Sequence, residues 1–230
     1  MLDTKDPEEF IRTVELLSSN FGGINLEDIK APECLYIERE LQRKLNIPVF
    51  HDDQHGTAIV VLAGLINAFK YLGKNLRSAK IVVSGTGAAG SAIIKILYDY
   101  GVRDIYAFNK DGLVHKENAS AEVLKSLLSY LRRVEKQKRL NELLEKADAF
   151  VGVSAPNILE VEDIKVMNSD PIIFALANPE PEINYDLALQ SKASIVATGR
   201  SDYPNQVNYV LDFTGVFKGA LSVRAREIND

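Results

Sequence analysis

With 230 residues, of which 46% are hydrophobic and 26% charged, the chain has the balance of a soluble globular protein and the length for one large domain or two modest ones. A net charge of −5 with no long basic run argues against nucleic acid as a partner, and no apolar run reaches the roughly 18 residues that span a bilayer. Cys34 is the only cysteine, which rules out an intrachain disulfide and fits a reducing, cytoplasmic setting; the first ten residues lack the apolar core of a signal peptide.

In chain order, Asp6 to Ser18 is expected to be a helix, with Asp6 as N-cap and Pro7 in the first turn. Ile24 to Leu26 reads as a short strand, Pro32 to Leu45 as a helix, Ile47 to Phe50 as a strand, and Thr57 to Tyr71 as a helix closed by Gly73. Lys80 to Ser84 is a β-branched strand, Gly85 to Gly90 a glycine-rich turn, Ser91 to Tyr100 a helix ended by Gly101, and Asp104 to Phe108 the next strand. This is a βαβ unit, with parallel strands and a right-handed connection. Ala119 to Ala147 reads as charged and helical, and Phe150 to Val153, Ile172 to Ala177 and Ile195 to Thr198 as further strands. Alternating strands and helices predict the α/β class, a doubly wound parallel sheet of the Rossmann type. A boundary near Asn75 divides residues 1–74, an acid-bearing segment, from residues 75–230, the dinucleotide-binding domain.

Two acidic pairs, Glu27/Asp28 and Asp52/Asp53, each follow a short apolar run. Carboxylates at strand ends are where open α/β sheets place their chemistry. If they converge, a cation must offset their repulsion, and hard oxygen ligands suit Mg²⁺ or Mn²⁺ better than Zn²⁺. His55, near a helix start, reads as a hydrogen-bonding turn residue.

Gly85-Thr86-Gly87-Ala88-Ala89-Gly90 matches G-x-G-x-x-G between a strand and a helix. Gly85 permits the tight turn, Gly87 lets the backbone approach a pyrophosphate, and Gly90 lets helix and strand pack closely. The helix N-terminus offers free N–H groups to the phosphates. Where NAD-binding sequences carry an acid at the end of the second strand, this chain has Asn109, then Lys110 and Asp111. Asn109 can hold a ribose, Lys110 can pair with a 2′-phosphate, and Asp111 is a displaced acid or a turn residue; NAD and NADP both stay open.

Five segments resemble the malic enzymes in order: Gly22 to Asp28, Asn46 to Ala58, Gly85 to Gly90, Phe174 to Pro179 and Ala197 to Asp202. The resemblance, closest to the shorter bacterial and archaeal type, extends over essentially the whole chain; malolactic enzymes share these motifs. It implies NAD(P)-dependent oxidation of malate followed by decarboxylation to pyruvate, with a divalent cation stabilising the enolate. By position, Glu27, Asp28 and Asp53 look like the metal ligands, and Asp52 like a supporting carboxylate that orients the catalytic base. Gly85 to Gly90 would hold the pyrophosphate, Ser154 would lie near the dinucleotide, and Asn178 would reach the nicotinamide ribose and malate, with Asn208 a second substrate contact. Tyr209 stands where the family commonly has a second Asn, and Thr214 where it has Pro. The resemblance also implies a longer N-terminal segment with a Tyr general acid and a Lys general base, further C-terminal helices, and a homo-oligomer. The expectation is therefore a fragment that is inactive by itself; a non-catalytic dinucleotide-binding module is the alternative.

Overall fold

The computed structural model describes residues 2–119, 122–134 and 138–229. Helix α1 (Pro7–Leu17) starts where the cap predicts, with the Asp6 carboxylate accepting from the Glu8 N–H at 2.9 Å. Strand β1 (Ile24–Leu26), helix α2 (Glu33–Lys44) and strand β2 (Val49–His51) form a βαβ unit whose two strands pair in parallel, Leu26 opposite His51. Strand β2 begins two residues later than expected and extends to His51, because the pairing with β1 continues to that point. Ile11, Leu26, Ile37, Leu41 and Val49 make a small core between these elements.

Residues Asp52–Gly56 form a π-helical turn that runs directly into α3 (Thr57–Tyr71). The main sheet follows: β3 (Lys80–Ser84), α4 (Ala88–Tyr100), β4 (Asp104–Asn109), β5 (Gly112–Leu113), α5 (Glu122–Leu127), α6 (Leu140–Leu144), β6 (Ala149–Gly152), α7 (Val161–Lys165), β7 (Ile172–Ala175), α8 (Tyr185–Gln190), β8 (Ile195–Thr198) and α9 (Val210–Ser222). The spatial order is β5-β4-β3-β6-β7-β8, all parallel except β5. The chain moves outward from β3 to β4, then returns to the other side of β3 at β6. The crevice between β3 and β6 is thus the topological switch point where such sheets bind ligands.

Side chains alternate across the sheet. Ile81, Val83, Ala149, Val151, Ile172 and Phe174 point into the core that contains residues of α3 and α4. Val82, Phe150, Ile173, Ala175 and Val196 point into the opposite core, with residues of α6, α7 and α8. This two-sided burial is why the strands read as apolar runs rather than alternating ones. Val61, Leu65 and Phe69 of α3 belong to the first core, so α3 packs with the large sheet although it precedes the boundary expected at residues 74/75.

The segment from Ala119 to Ala147, expected to be charged and helical, is helical only in part. The described part holds only α5 and α6, with a turn after Leu127, and residues 120, 121 and 135–137 of that expectation lie outside the described residues. Tyr130 N–H to the Leu127 carbonyl and Arg132 N–H to the Ile105 carbonyl end the helical path and bring the chain back to the sheet. Strand β5 and helix α9 were not foreseen. Two residues give β5 too little pattern to read, and Gly215 and Gly219 lower the apparent helix propensity of α9.

Candidate functional site

Both acidic pairs lie at the carboxyl ends of a parallel strand pair, Glu27 and Asp28 after β1 and Asp52 and Asp53 after β2. Asp28 has φ of 56°, turning the chain sharply out of β1, and its N–H donates to Asp53 Oδ2 at 2.8 Å. Asp52 is buried, accepting from Asn25 Nδ2 and from the Asp53 N–H, both at 2.8 Å. Burial pushes the Asp52 carboxyl up from the ordinary Asp range, partly opposed by the Asn25 hydrogen bond. Glu27 and Asp28 are exposed and Asp53 is half-buried.

The set whose ligand atoms lie within 4.8 Å of one another is His51, Asp52 and Asp53. The sequence-predicted trio Glu27, Asp28 and Asp53 is not gathered that tightly. Glu27 Oε1 instead accepts from the Tyr209 hydroxyl at 3.3 Å, and the Asp53 carboxylate meets the backbone N–H of Asp28 rather than its side chain. Both ring nitrogens of the fully buried His51 and both carboxylate oxygens of Asp212 lack a hydrogen-bond partner.

Tyr209 and Asp212 come from the start of α9, which packs on the π-helical turn: a Cβ at Gly56 would be 2.9 Å from Tyr209 Cβ and 3.3 Å from Asp212 Oδ1. Burial, with the added charge of Asp52, pushes Asp212 up to about 6. Burial and the charges of Asp53 and Glu27 push Tyr209 up to about 12. Asp212 and Asn25 were not predicted as site residues. A lone Asp in an apolar helix carries no motif, and an Asn inside a strand becomes visible only through its partner.

The glycine turn follows β3. Gly85 has φ of 109°, and a Cβ there would lie 2.6 Å from the Val153 carbonyl oxygen; at Gly90 it would lie 2.0 Å from the Gly85 carbonyl oxygen. Helix α4 begins at Ala88, so Ala88, Ala89 and Gly90 form its first turn rather than a loop. No side chain caps this helix, and Gly87 opens onto free space, with nothing within 4 Å of a Cβ placed there. Thr86 is held from β4 by Asn109 Nδ2 at 3.3 Å, and the Asn109 Oδ1 takes the Asp111 N–H.

Across the crevice, Ser154 Oγ sits 3.0 Å from Ser84 Oγ, and the Ser154 N–H donates to the buried Glu182 at 2.8 Å. Asn178 is exposed after β7. Asn208 has its amide engaged locally, donating to the Gly199 carbonyl at 3.1 Å and accepting from the Val210 N–H at 3.0 Å. Glu182 is a third residue that the sequence did not single out, after Asp212 and Asn25.

The chain resembles known proteins along its length. The family model described as "Malic enzyme, NAD binding domain" matches residues 54–230. The NAD-dependent malic enzyme of Geobacillus stearothermophilus is 52% identical over 100% of this chain and 48% of its own length. The bifunctional malic/malolactic enzyme of Bacillus subtilis is 50% identical over 100% of this chain and 56% of its own. The crystal structure of the NAD-dependent malic enzyme from Thermotoga maritima superposes with a TM-score of 0.95 at 46% identity, covering 100% of this chain and 61% of that one. The chain thus spans about half the length of the curated relatives it matches. With the switch-point crevice, the glycine turn and this match over residues 54–230, the chain belongs to the malic enzyme family.

Proposed function

We propose that the chain supplies the dinucleotide cradle and the cation-holding acids for NAD(P)- and divalent-metal-dependent oxidative decarboxylation of malate to pyruvate. The observation that supports this reading is the placement of the Glu27/Asp28 and Asp52/Asp53 pairs at the carboxyl ends of the paired strands β1 and β2, in a family member whose β3–α4 turn opens at Gly87. Asp52 and Asp53 bring carboxylate oxygens within 4.8 Å of each other beside His51, and hard oxygen donors of this kind suit Mg²⁺ or Mn²⁺, with the unpartnered Asp212 oxygens on the adjoining helix α9. Glu27, Asp28 and Asp53 would hold the ion, which supplies Lewis-acid stabilisation of the negative charge that develops as CO₂ leaves.

The protein's own groups do the rest. The first-turn amides of α4, at Ala88, Ala89 and Gly90, bind and orient the pyrophosphate. Asn109 steadies Thr86 beside the adenosine ribose. Ser154 and Asn178 flank the nicotinamide half, and Asn208 holds the turn that carries Tyr209 to Glu27. Asp52, fixed by Asn25, orients the neighbouring base. The acid and base that complete turnover belong, in this reading, to a further part of the protein, so the 230-residue chain binds its ligands without turning malate over. Assembly as a homo-oligomer and a cytoplasmic setting are part of the same proposal, the latter supported by the lone, buried Cys34. Malolactic chemistry is the second reading, favoured by the 50% identity to a bifunctional relative.

Calorimetric titration with Mn²⁺, NAD⁺ and NADP⁺ tests the proposal. Both ligand classes are expected to bind, and Asp53→Asn is expected to lower Mn²⁺ affinity at least tenfold while leaving dinucleotide affinity within twofold. Dinucleotide binding with no Mn²⁺ binding would instead make the chain a non-catalytic nucleotide module.

A further inference from the structure

A fully buried carboxylate with no countercharge is costly, and folds keep one only where hydrogen bonds satisfy it. Glu182 is such a group: it is 0% exposed and appears in no ion pair among the described residues. Its two oxygens divide between two loops. Oε1 accepts from the Ser154 N–H at 2.8 Å, and Oε2 accepts from the Ala177 N–H at 3.0 Å. Those amides lie just beyond β6 and β7, which are neighbours in the sheet with Gly152 opposite Ala175. The carboxylate therefore sets the separation of the two loops by the span between its own oxygens.

The backbone around Glu182 is braced for this task. Its carbonyl accepts from the Leu159 N–H, and the Pro181 carbonyl accepts from the Asn157 N–H. The side chain passes over Gly152, where a Cβ would lie 2.3 Å from Glu182 Cδ, so the carboxylate reaches the amides only because residue 152 has no side chain. Ser154 in turn touches Ser84 at the end of β3, linking the arrangement to the glycine turn. In a doubly wound sheet the pyrophosphate lies at the first turn and one nucleoside over the strand beyond it. The nicotinamide half must then lie on the other side of the switch point, over the loops that Glu182 ties together.

We propose that Glu182 is a positioning residue for the nicotinamide half of the dinucleotide, holding the Ser154 and Ala177–Asn178 loops at the separation that half requires. This rests on the dinucleotide-binding reading above. It separates the two halves of the ligand energetically: the Glu182 carboxylate bonds the loops after β6 and β7 directly and reaches the pyrophosphate cradle at Gly85 to Gly90 only through the Ser154–Ser84 contact. Glutamine at this position keeps the shape but turns one acceptor oxygen into an NH₂ group facing an N–H.

The experiment is calorimetric titration of the chain and of Glu182→Gln with NAD⁺ and NADP⁺, and with ADP-ribose and its 2′-phosphate, which lack nicotinamide. Glu182→Gln is expected to weaken the bound dinucleotide about tenfold, as loss of one hydrogen bond implies, and to leave the nicotinamide-free fragment within twofold. Gly152→Ala, which displaces the same carboxylate, is expected to reproduce that split. In the unsubstituted chain, the amide resonances of Ser154 and Ala177 are expected to shift with dinucleotide and not with ADP-ribose, a readout that requires no variant to fold. Equal weakening of both ligands, no weakening of either, or no dinucleotide-specific amide shift would each overturn the proposal. If the unsubstituted chain binds the fragment but not the dinucleotide, the positioning role alone fails; if it binds neither, the dinucleotide-binding reading fails with it.

Discussion

Asp212 shows how one residue records the electrostatics of its surroundings. Both its oxygens are buried without a side-chain hydrogen-bond partner, and the charge of Asp52 adds to the effect of burial. Its carboxyl is therefore pushed from 3.8 up to about 6. Between those two values the folded chain keeps a proton that the unfolded chain has released, so stability falls as pH rises through that window. Above about 6 the whole penalty is present. Asp212→Asn, similar in shape and uncharged, is expected to raise the urea midpoint above pH 6 and to leave it nearly unchanged below the ordinary Asp range. Paired denaturation curves on either side of the window check this, and a pH-independent difference would reject the assignment. Glu27 illustrates the complementary point. Its place after β1 was legible as an acid at a strand end, but its hydroxyl partner, Tyr209, lies 182 positions away.

At the scale of elements, the β3–turn–α4 unit was legible because its pattern is local. A β-branched run, three glycines at fixed offsets and a helix ended by Gly101 lie within a stretch short enough for propensity to decide. The glycines are not equivalent, however. Gly90→Ala would drive a Cβ to 2.0 Å from the Gly85 carbonyl oxygen, whereas Gly87→Ala meets nothing within 4 Å. The first is expected to unfold the turn or lower the melting temperature markedly. The second is expected to keep the fold and weaken dinucleotide binding about tenfold or more, because its methyl group takes the space a pyrophosphate needs. Thermal melts and dinucleotide titrations of both variants distinguish these outcomes. The segment from Ala119 to Ala147 was legible only in part, for the opposite reason. Its charged composition suits a helix, but tertiary contacts such as Arg132 N–H to the Ile105 carbonyl stop α5 and return the chain to the sheet.

At the scale of the whole molecule, α3 joins the two parts. Its N-terminus continues the acid-bearing turn after β2, while Val61, Leu65 and Phe69 fill the core beneath the six-stranded sheet. Ligands that bind either the acids or the glycine turn therefore stabilise one connected structure. Dinucleotide at a hundredfold excess over its dissociation constant is expected to add about 2.7 kcal/mol to the unfolding free energy, or roughly 5–10 °C in melting temperature for a chain of this size. Mn²⁺ is expected to add a separate increment that Asp53→Asn removes. Thermal scans with each ligand alone and with both measure this, and an unchanged melting temperature at saturating dinucleotide would contradict the cradle.

The sequence by itself determined the class of fold, the order along the chain of every strand but β5, the glycine turn and the two acidic pairs, because each depends on neighbours a few residues apart. Only the tertiary structure decided that β3 and β6 lie side by side, that α9 sets Tyr209 and Asp212 against the β2 turn, and that Glu182 bridges Ser154 and Ala177. Such contacts join residues distant along the chain through burial and hydrogen bonding, and a polar side chain carries no local sign of which distant amide it will satisfy.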